Sequence, residues 1–312
     1  MMDTKPIKRF FSLLLFIGIA GGIFYFMFRK IAADWPIITS FPWEINWASI
    51  ILSSGLSGVA NILNLKAAHI LCEVLGGRIS FSRFLYISCI TRTGRYLPGR
   101  LWHLVGFTIL LNREGVKKSV SLILPVLYQG LMVATFWLIG LFLCGPFIIT
   151  RLLPESLWFA SVVTIGLFLA LLFLPFSSNL LNYLINLRYK EIRNFSFPQK
   201  AYYTILGLLT LSGLIYSGAF FIFASGLIEF SIKEAPFIGG SFLLAYVIGW
   251  MVFIVPGGLG VREGVLAFLL SQWIPLALSN IVALIARVWM VGVEFIILLG
   301  VWIWVSNPWK RK

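Results

Sequence analysis

Long runs of apolar residues divide the chain into segments that match the thickness of a membrane. A helix needs about 20 apolar residues to cross the hydrocarbon core of a bilayer. Seven runs meet this requirement: residues 10–28, 47–65, 120–149, 157–176, 201–228, 237–254 and 279–305. Two further apolar pieces, 84–111 and 262–278, contain or adjoin helix-breaking motifs and could form complete crossings, half-helices or re-entrant loops. The pattern predicts an all-α, polytopic membrane bundle of about eight crossings with broken or re-entrant helices.

Lysine and arginine residues are concentrated in alternate connections between these runs. Suppose that 84–111 returns to its own side and that the helix beginning near Arg262 crosses. Sixteen cationic residues then lie on one side of the membrane and four on the other. Because cytoplasmic loops carry an excess of lysine and arginine, both termini are predicted to be cytoplasmic.

A basic loop, residues 177–200, divides the hydrophobic sequence into two parts. We predict a single membrane domain over residues 1–312, with possible pseudo-repeat halves at 10–176 and 201–305. Each half contains a Pro-Gly break in an apolar segment. Duplicated halves with broken helices at their interface are typical of transporters.

A short sequence echo also links the halves. Arg113-Glu114-Gly115-Val116 in the first half matches Arg262-Glu263-Gly264-Val265 in the second. The two copies stand at different distances from their Pro-Gly breaks. The echo therefore only suggests a duplication.

The composition supports a membrane protein and argues against several other classes. Hydrophobic residues make up 60% of the chain, charged residues 12%, and the mean hydropathy is +0.95. Soluble domains carry about 25% charged residues. The net charge of +14 is spread between apolar runs and forms no single patch, so no nucleic acid partner is expected. Cys72, Cys89 and Cys144 have no metal-ligand spacing and are predicted to be small buried hydrophobes.

The first helix break places arginines within apolar sequence. It runs from Thr91 to Arg100 and contains Arg92, Arg95 and a Pro-Gly pair. Charge at membrane depth is costly unless it faces a partner, a cavity or an interface. We predict that Arg92, Arg95 and Arg100 line an entry path for an anion, although snorkelling to lipid headgroups is an alternative.

The second break, residues 255–264, combines glycines with charge. Pro256 ends the preceding helix, and Gly257, Gly258 and Gly260 allow backbone conformations that other residues avoid. A helix can then begin near Val261, and its free N–H groups and dipole would favour an anion such as phosphate. Arg262 adds a guanidinium fork that matches phosphate. The alternative is a tight loop whose Arg262 pairs with Glu263 or a lipid headgroup.

The last predicted span carries two charged residues on one helix face. Arg287 and Glu294 are seven residues apart and could pair with Glu263 and Arg262. Arg287 and Glu263 are candidates for substrate binding, and Glu263 and Glu294 are candidates for coupling transport to protons. An architectural ion-pair network is an equally good interpretation.

Residues for catalysis are scarce. His69 and His103 stand alone and are interpreted as hydrogen-bonded structural residues, although His103 is close enough to Arg100 to line the same cavity. Catalytic triads, Walker loops and paired metal-binding carboxylates are not found. No catalytic residue, metal site or cofactor is predicted, and the chain is not expected to be an enzyme.

Three segments resemble the transmembrane-domain family of lysylphosphatidylglycerol synthases. They are Gly94-Arg95-Tyr96-Leu97-Pro98-Gly99-Arg100-Leu101-Trp102, Arg113-Glu114-Gly115, and Pro256-Gly257-Gly258-Leu259-Gly260-Val261-Arg262-Glu263-Gly264. The resemblance implies an integral bacterial or archaeal cell membrane domain associated with translocating aminoacylated phospholipids or other lipid-linked substrates. Full-length synthases carry a soluble aminoacyl-transfer domain after it. This sequence ends at Lys312, so that activity is not expected here.

Three functions are considered. The leading hypothesis is a lipid flippase or transporter that binds an anionic phospholipid or a polyprenyl-phosphate-linked lipid. An integral membrane transferase acting on a lipid-linked sugar is the second, with Asp34 and Glu44 as acid, base or metal ligand. The third is a non-catalytic scaffold for a separately encoded glycosyltransferase or synthase.

Overall fold

The described residues fold into helices joined by short turns. The computed structural model describes residues 29, 32–92, 94, 102–151, 198–252, 258 and 260–305. Within these ranges the α-helices are α1 (Trp35–Ser40), α2 (Trp47–Val74), α3 (Phe81–Arg92), α4 (Trp102–Arg113), α5 (Lys118–Arg151), α6 (Gln199–Ser225), α7 (Ala235–Met251), α8 (Val261–Leu270) and α9 (Leu276–Val305). The predicted spans 10–28 and 157–176 lie outside the described residues.

Local sequence explains where several helices begin and end. Asn46 caps α2, because its side-chain oxygen accepts the N–H of Ser49 at 3.1 Å. Beyond Val74 the chain turns through Gly76, whose φ of 89° carries no steric cost in glycine. Before α7, Ser231 and Glu234 cap a short 3₁₀ turn, with the N–H of Ser231 donating to the Glu234 carboxylate at 2.9 Å.

Five helices among the described residues are long and apolar enough to cross a membrane. They are Trp47–Val74, Lys118–Phe147, Gln199–Ser225, Ile232–Met251 and Leu276–Ile303. Each coincides with one of the predicted spans. Their outer faces carry exposed apolar side chains, such as Ile51, Phe142 and Ile296, whereas Asn61 and Asn64 are buried inside. This arrangement suits a lipid environment, and the chain is a multi-pass helical membrane protein.

Helices α2 and α6 lie antiparallel. The N–H of Asn46, just before α2, donates to the carbonyl of Gly226, just after α6, at 2.9 Å. A Cβ atom added to Gly226 would lie only 2.9 Å from that of Ser49. The start of α2 therefore meets the end of α6, and the segments that follow the two helices leave from opposite ends of the bundle.

Helices α3 and α4 form a hairpin, residues 81–113, named hairpin A. At its base the Arg83 Nε lies 3.8 Å from the Glu114 carboxylate. Further along, the rings of Phe84 and Phe107 lie 5.8 Å apart. Each helix has 12 residues and spans about 18 Å, roughly half of the thickness needed to cross. The start of α3 and the end of α4 therefore lie close together, and whether 84–111 re-enters the membrane stays a prediction.

Helices α7 and α8 form a second hairpin, residues 235–270, named hairpin B. At its base the rings of Phe237 and Trp273 lie 6.1 Å apart. At its tip, Gly249 of α7 packs on Arg262 of α8, where an added Cβ would lie 2.8 Å from the Arg262 Cβ. The charge count supposed that the helix from Arg262 crosses, and a half-helix or a re-entrant loop were the alternatives for 262–278. Helix α8 has ten residues and spans about 15 Å before the chain turns at 271–275.

The two hairpins enter the bundle from opposite ends. Hairpin A follows the end of α2, and hairpin B follows the end of α6, which is antiparallel to α2. Each hairpin packs on the long helix that follows the other one. Helix α3 of hairpin A contacts α9, and α7 of hairpin B contacts α5. Both tips therefore point towards the middle of the molecule.

Glycines let α7 pack closely on its neighbours. A Cβ atom added to Gly239 would lie 2.6 Å from the Ser217 carbonyl oxygen of α6, and one added to Gly240 would lie 2.8 Å from the Leu143 Cβ of α5. Backbone contacts of this kind cannot relax by rotating a side chain. Small residues are the usual means of close helix packing in membranes.

We predict that Gly239→Ala lowers the free energy of unfolding by about 1–3 kcal/mol, because the new methyl group overpacks the α6–α7 contact. Thermal melting of the purified protein in detergent measures the change. Gly218→Ala is the matched control, since nothing lies within 4 Å of the added atom. Equal melting temperatures for the two variants would contradict the described α6–α7 packing.

Candidate functional site

A cavity of about 560 Å³ lies between the tips of the two hairpins. Hairpin A contributes Arg92 and His103, and hairpin B contributes Gly249, Trp250 and Arg262. The remaining walls come from α2, α5, α6 and α9. The volume is in the range of small-molecule binding sites. The cavity also lies near the middle of the long helices, since Asn61 and Asn64 stand half way along α2.

Arg92 is held at the tip of hairpin A by an amide. It is the last residue of α3, and its guanidinium donates a hydrogen bond to the Oδ1 atom of Asn61 on α2. Only 3% of Asn61 is exposed. The amide orients the guanidinium, so Arg92 places a cationic group at the wall of the cavity.

Arg262 is held at the tip of hairpin B by aromatic rings. Its guanidinium carbon lies 4.8 Å from the ring centre of Phe242 and 4.9 Å from that of Tyr246, both on α7. Cation–π contacts stabilise the cation while leaving the guanidinium edge able to donate hydrogen bonds. Arg262 also lies in the first turn of α8, where the helix dipole is positive. Charge and dipole together favour an anion at this point.

Glu263 links hairpin B to α9. One carboxylate oxygen accepts the N–H of Gly260 at 2.7 Å and so caps α8. The other lies 3.5 Å from the Arg287 guanidinium on α9. Glu263 is only 5% exposed, and the pairing expected between these two side chains is confirmed. A hydrogen-bonded, paired carboxylate is an anchor for the hairpin tip.

Glu294 stands two turns beyond Arg287 on the same helix. It lines the cavity and, with Arg92, Asn61 and Cys89, a smaller adjoining pocket. Helix α9 therefore contributes Arg287, which pairs with Glu263 of hairpin B, and Glu294, which lines the cavity with both Arg92 and Arg262. The roles of Glu263 and Glu294 in proton coupling stay predictions.

Glycines shape the break that precedes α8. Gly258 has a φ of 65°, and an added Cβ would lie 2.5 Å from the carbonyl oxygen of Gly249. The backbone of the break thus lies directly on the end of α7. This contact sets the position of Arg262, which packs on the same glycine.

Gly258→Ala is expected to lower the free energy of unfolding by about 1–3 kcal/mol, because it combines backbone strain with a clash against Gly249. Thermal melting in detergent is the measurement. Gly264→Ala in the same motif is the control, since its added atom meets nothing within 4 Å. If Gly258→Ala were as stable as Gly264→Ala, the described backbone contact would be wrong.

The structure brings together only some of the predicted binding residues. Arg92, Arg262 and Arg287 line one cavity. Gly258 and Gly260 are not among its described lining residues, and their role as ligands stays a prediction. Arg95, Arg100 and Gly257 lie outside the described residues.

Other sequence predictions have clear outcomes. The Nε2 atom of His69 donates a hydrogen bond to the Ile79 carbonyl oxygen at 2.8 Å, as expected for a structural histidine. The three cysteines are buried and free, as expected.

Asp34 and Glu44, the candidate residues of a transferase, lie outside the cavity. They precede α1 and α2 and are not among its described lining residues. Within the ranges that the structure describes, no group of three His, Cys, Asp or Glu side chains could hold a metal ion.

The sequence echo does not mark equivalent positions. Glu114 and Gly115 form the turn at the base of hairpin A, where Gly115 has a φ of 86°. Glu263 and Gly264 lie near the tip of hairpin B. The tetrapeptide therefore gives no support to a duplication, because the two copies occupy opposite ends of their hairpins, and the pseudo-repeat halves stay a prediction.

Sequence reasoning missed the uncharged polar residues of the cavity. Asn61 and Asn64 on α2 and Ser88 on α3 all line it. Two asparagines one turn apart inside an apolar span are a usable signal, because polar side chains within membrane helices face the protein interior.

Fold and site together define a polytopic helical membrane protein with a positively charged cavity inside its bundle. The chain matches the family model described as lysylphosphatidylglycerol synthase TM region over residues 11–300. It belongs to this family, as its motifs indicated. No curated protein and no solved structure gave a match.

Proposed function

We propose that this protein is a lipid flippase or lipid-binding transporter that holds an anionic, phosphate-bearing headgroup in the central cavity. The observation that carries the proposal is that Arg92, Arg262 and Arg287 line one cavity within an apolar bundle. Charged residues inside membrane proteins are costly and commonly mark substrate pathways. An anionic phospholipid or a polyprenyl-phosphate-linked lipid is the proposed ligand.

The walls of the cavity support a lipid over a water-soluble anion. Phe84, Phe107, Leu124 and Met290 line it beside the arginines. Val126 on α5 also lines it and is 66% exposed, so the cavity wall continues into the apolar outer surface of the bundle. A ligand with a charged head and apolar tails matches both the arginine-lined cavity and the apolar outer surface of the bundle.

The opposed hairpins support movement of the headgroup between the two sides. We propose that α2, hairpin A and α5 form one unit and that α6, hairpin B and α9 form an inverted copy of it. These units belong to the predicted halves 10–176 and 201–305. Inverted repeats with a binding site at the membrane midplane are typical of alternating access. Tilting either hairpin would then open the cavity to one side.

The charge at the two ends of the bundle supports an orientation. The connections at the base of hairpin A carry Arg78, Lys117 and Lys118, whereas two acids, Glu229 and Glu234, and one base, Lys233, precede hairpin B. By the positive-inside rule, hairpin A enters from the cytoplasm. We propose a bacterial or archaeal cell membrane with both termini cytoplasmic.

Reconstituted liposomes test the function. Fluorescent analogues of an anionic phospholipid and of a polyprenyl phosphate are added to the inner leaflet, and dithionite quenching reports their arrival outside. Protein-containing liposomes should move at least one of them faster than empty liposomes. If neither moves, and a glycosyltransferase or synthase co-purifies with the chain, a scaffold function replaces transport.

A further inference from the structure

The cavity is also lined by uncharged polar side chains whose buried polar atoms lack a hydrogen-bond partner among the described residues. Asn64 Oδ1, Ser88 Oγ and Gln129 Nε2 are buried and have no hydrogen-bond partner among the described residues. All three side chains line the cavity. Asn64 is 4% exposed and Ser88 is 5% exposed, so these groups are well shielded from solvent.

The side chains of Asn64, Ser88 and Gln129 need a ligand that can both donate and accept hydrogen bonds. A buried polar group without a partner costs about 1–3 kcal/mol. An amide offers a donor and an acceptor, and a serine hydroxyl offers both in one atom. Hydroxyl groups on a ligand would satisfy all three residues at once. An ammonium group only donates and would leave the amide donor of Gln129 unpaired.

The charges of the site also disfavour an ammonium group on the ligand. The described site contains three guanidinium groups, Arg92, Arg262 and Arg287, against two carboxylates. Glu263 already contacts Arg287 and the Gly260 N–H, and Glu294 shares a pocket with Arg92. Adding an ammonium would place another cation beside a surplus of positive charge. A phosphodiester brings one negative charge and balances that surplus.

Resting on the proposed function, we propose that the cavity selects lipids whose phosphate carries an uncharged, hydroxyl-bearing group, a glycerol or a sugar, over lipids whose headgroup carries an ammonium. The arginines hold the phosphate, and Asn64, Ser88 and Gln129 hold the hydroxyls. The aminoacylated lipid in the family's name, with its cationic headgroup, is then a poor ligand for this chain.

Native mass spectrometry of the purified protein tests the preference by lipid competition. The lipids share the same tails: phosphatidylglycerol, phosphatidic acid, phosphatidylethanolamine and lysyl-phosphatidylglycerol. We expect phosphatidylglycerol to bind about 10-fold more tightly than either ammonium-bearing lipid, which corresponds to about 1.4 kcal/mol. Equal or tighter binding of lysyl-phosphatidylglycerol would overturn the proposal.

Variants locate the preference in the uncharged surface. The ratio of phosphatidylglycerol affinity to phosphatidic acid affinity should fall about fivefold in Asn64→Leu and in Gln129→Leu, since each loses a hydrogen bond worth about 1 kcal/mol. Asn280→Leu is the matched control, because its Nδ2 atom is also buried without a partner among the described residues but does not line the cavity. A ratio unchanged in both cavity variants would overturn the proposal, and two substitution sites guard against one misfolded variant.

The binding assay and the liposome transport assay together separate this inference from the proposed function. If phosphatidylglycerol is preferred but no lipid moves in liposomes, transport fails and the selectivity stands. If lipids move without any headgroup preference, the selectivity fails and transport stands. If soluble glycerol 3-phosphate bound as tightly as phosphatidylglycerol, the ligand would be a free organophosphate, which contradicts a lipid substrate.

Discussion

Arg262→Ala is expected to reduce lipid transport about 100-fold, because removing one partner of a buried charged contact costs about 2–5 kcal/mol. Arg262 is the cation that cation–π contacts and the α8 dipole place at the tip of hairpin B. Arg262→Lys should retain part of the activity, since an ammonium keeps the charge but loses the planar fork. The initial rate of dithionite quenching in liposomes is the measurement.

The control for this prediction is Arg78→Ala, an exposed arginine in the turn before hairpin A. It should transport within about twofold of the natural sequence, because exposed charges in solvent contribute little. Melting temperatures show whether each variant is folded. A folded Arg262→Ala protein with undiminished transport would contradict the role of the cavity.

Glu263→Ala is expected to destabilise the fold by about 3–5 kcal/mol, because it removes one side of a buried ion pair. The substitution also removes the cap on the Gly260 N–H. Glu263→Gln should cost less, since an amide oxygen can still accept that hydrogen bond. The double variant Glu263→Ala, Arg287→Ala should be less destabilised than the two single changes added together. Thermal melting in detergent provides all four values.

Glu114→Ala is the matched control for Glu263→Ala. Its ion pair with Arg83 has side chains that are 20% and 24% exposed, so water screens it. Glu114→Ala should therefore lower the free energy of unfolding by less than about 1 kcal/mol. If both glutamate variants melted alike, the Glu263–Arg287 pair would not anchor the hairpin tip as described.

The long apolar helices were predictable, but the extent of the second break was not. Hydropathy identified the five helices that are long and apolar enough to cross a membrane, because lipid-facing helices must be apolar along their whole length. The segment 262–278 is also largely apolar, yet α8 stops at Leu270 and the chain turns before Pro275. Hydropathy measures the summed apolar content of a segment, whereas this turn depends on packing at the base of hairpin B, where Phe237 meets Trp273.

The charged part of the site was predictable, whereas its neutral part was not. Arg92 and Arg262 stood out because arginine is rare in apolar sequence. Ser88 gave no such signal, and Gln129 could be read from the sequence as cavity-facing or as packed equally well, since isolated serine and glutamine residues are common in helices. Their place at the cavity follows from how α3 and α5 pack around the hairpin tips, which the sequence pattern does not encode locally.

The most direct test of the central claim is an electron cryomicroscopy structure in nanodiscs that contain phosphatidylglycerol. Our account predicts phosphate density between the two hairpin tips, within hydrogen-bonding distance of the Arg262 guanidinium and with acyl chains extending past Val126. Lipid headgroups found only at the two outer surfaces, with the arginines of the cavity paired to protein groups alone, would contradict it.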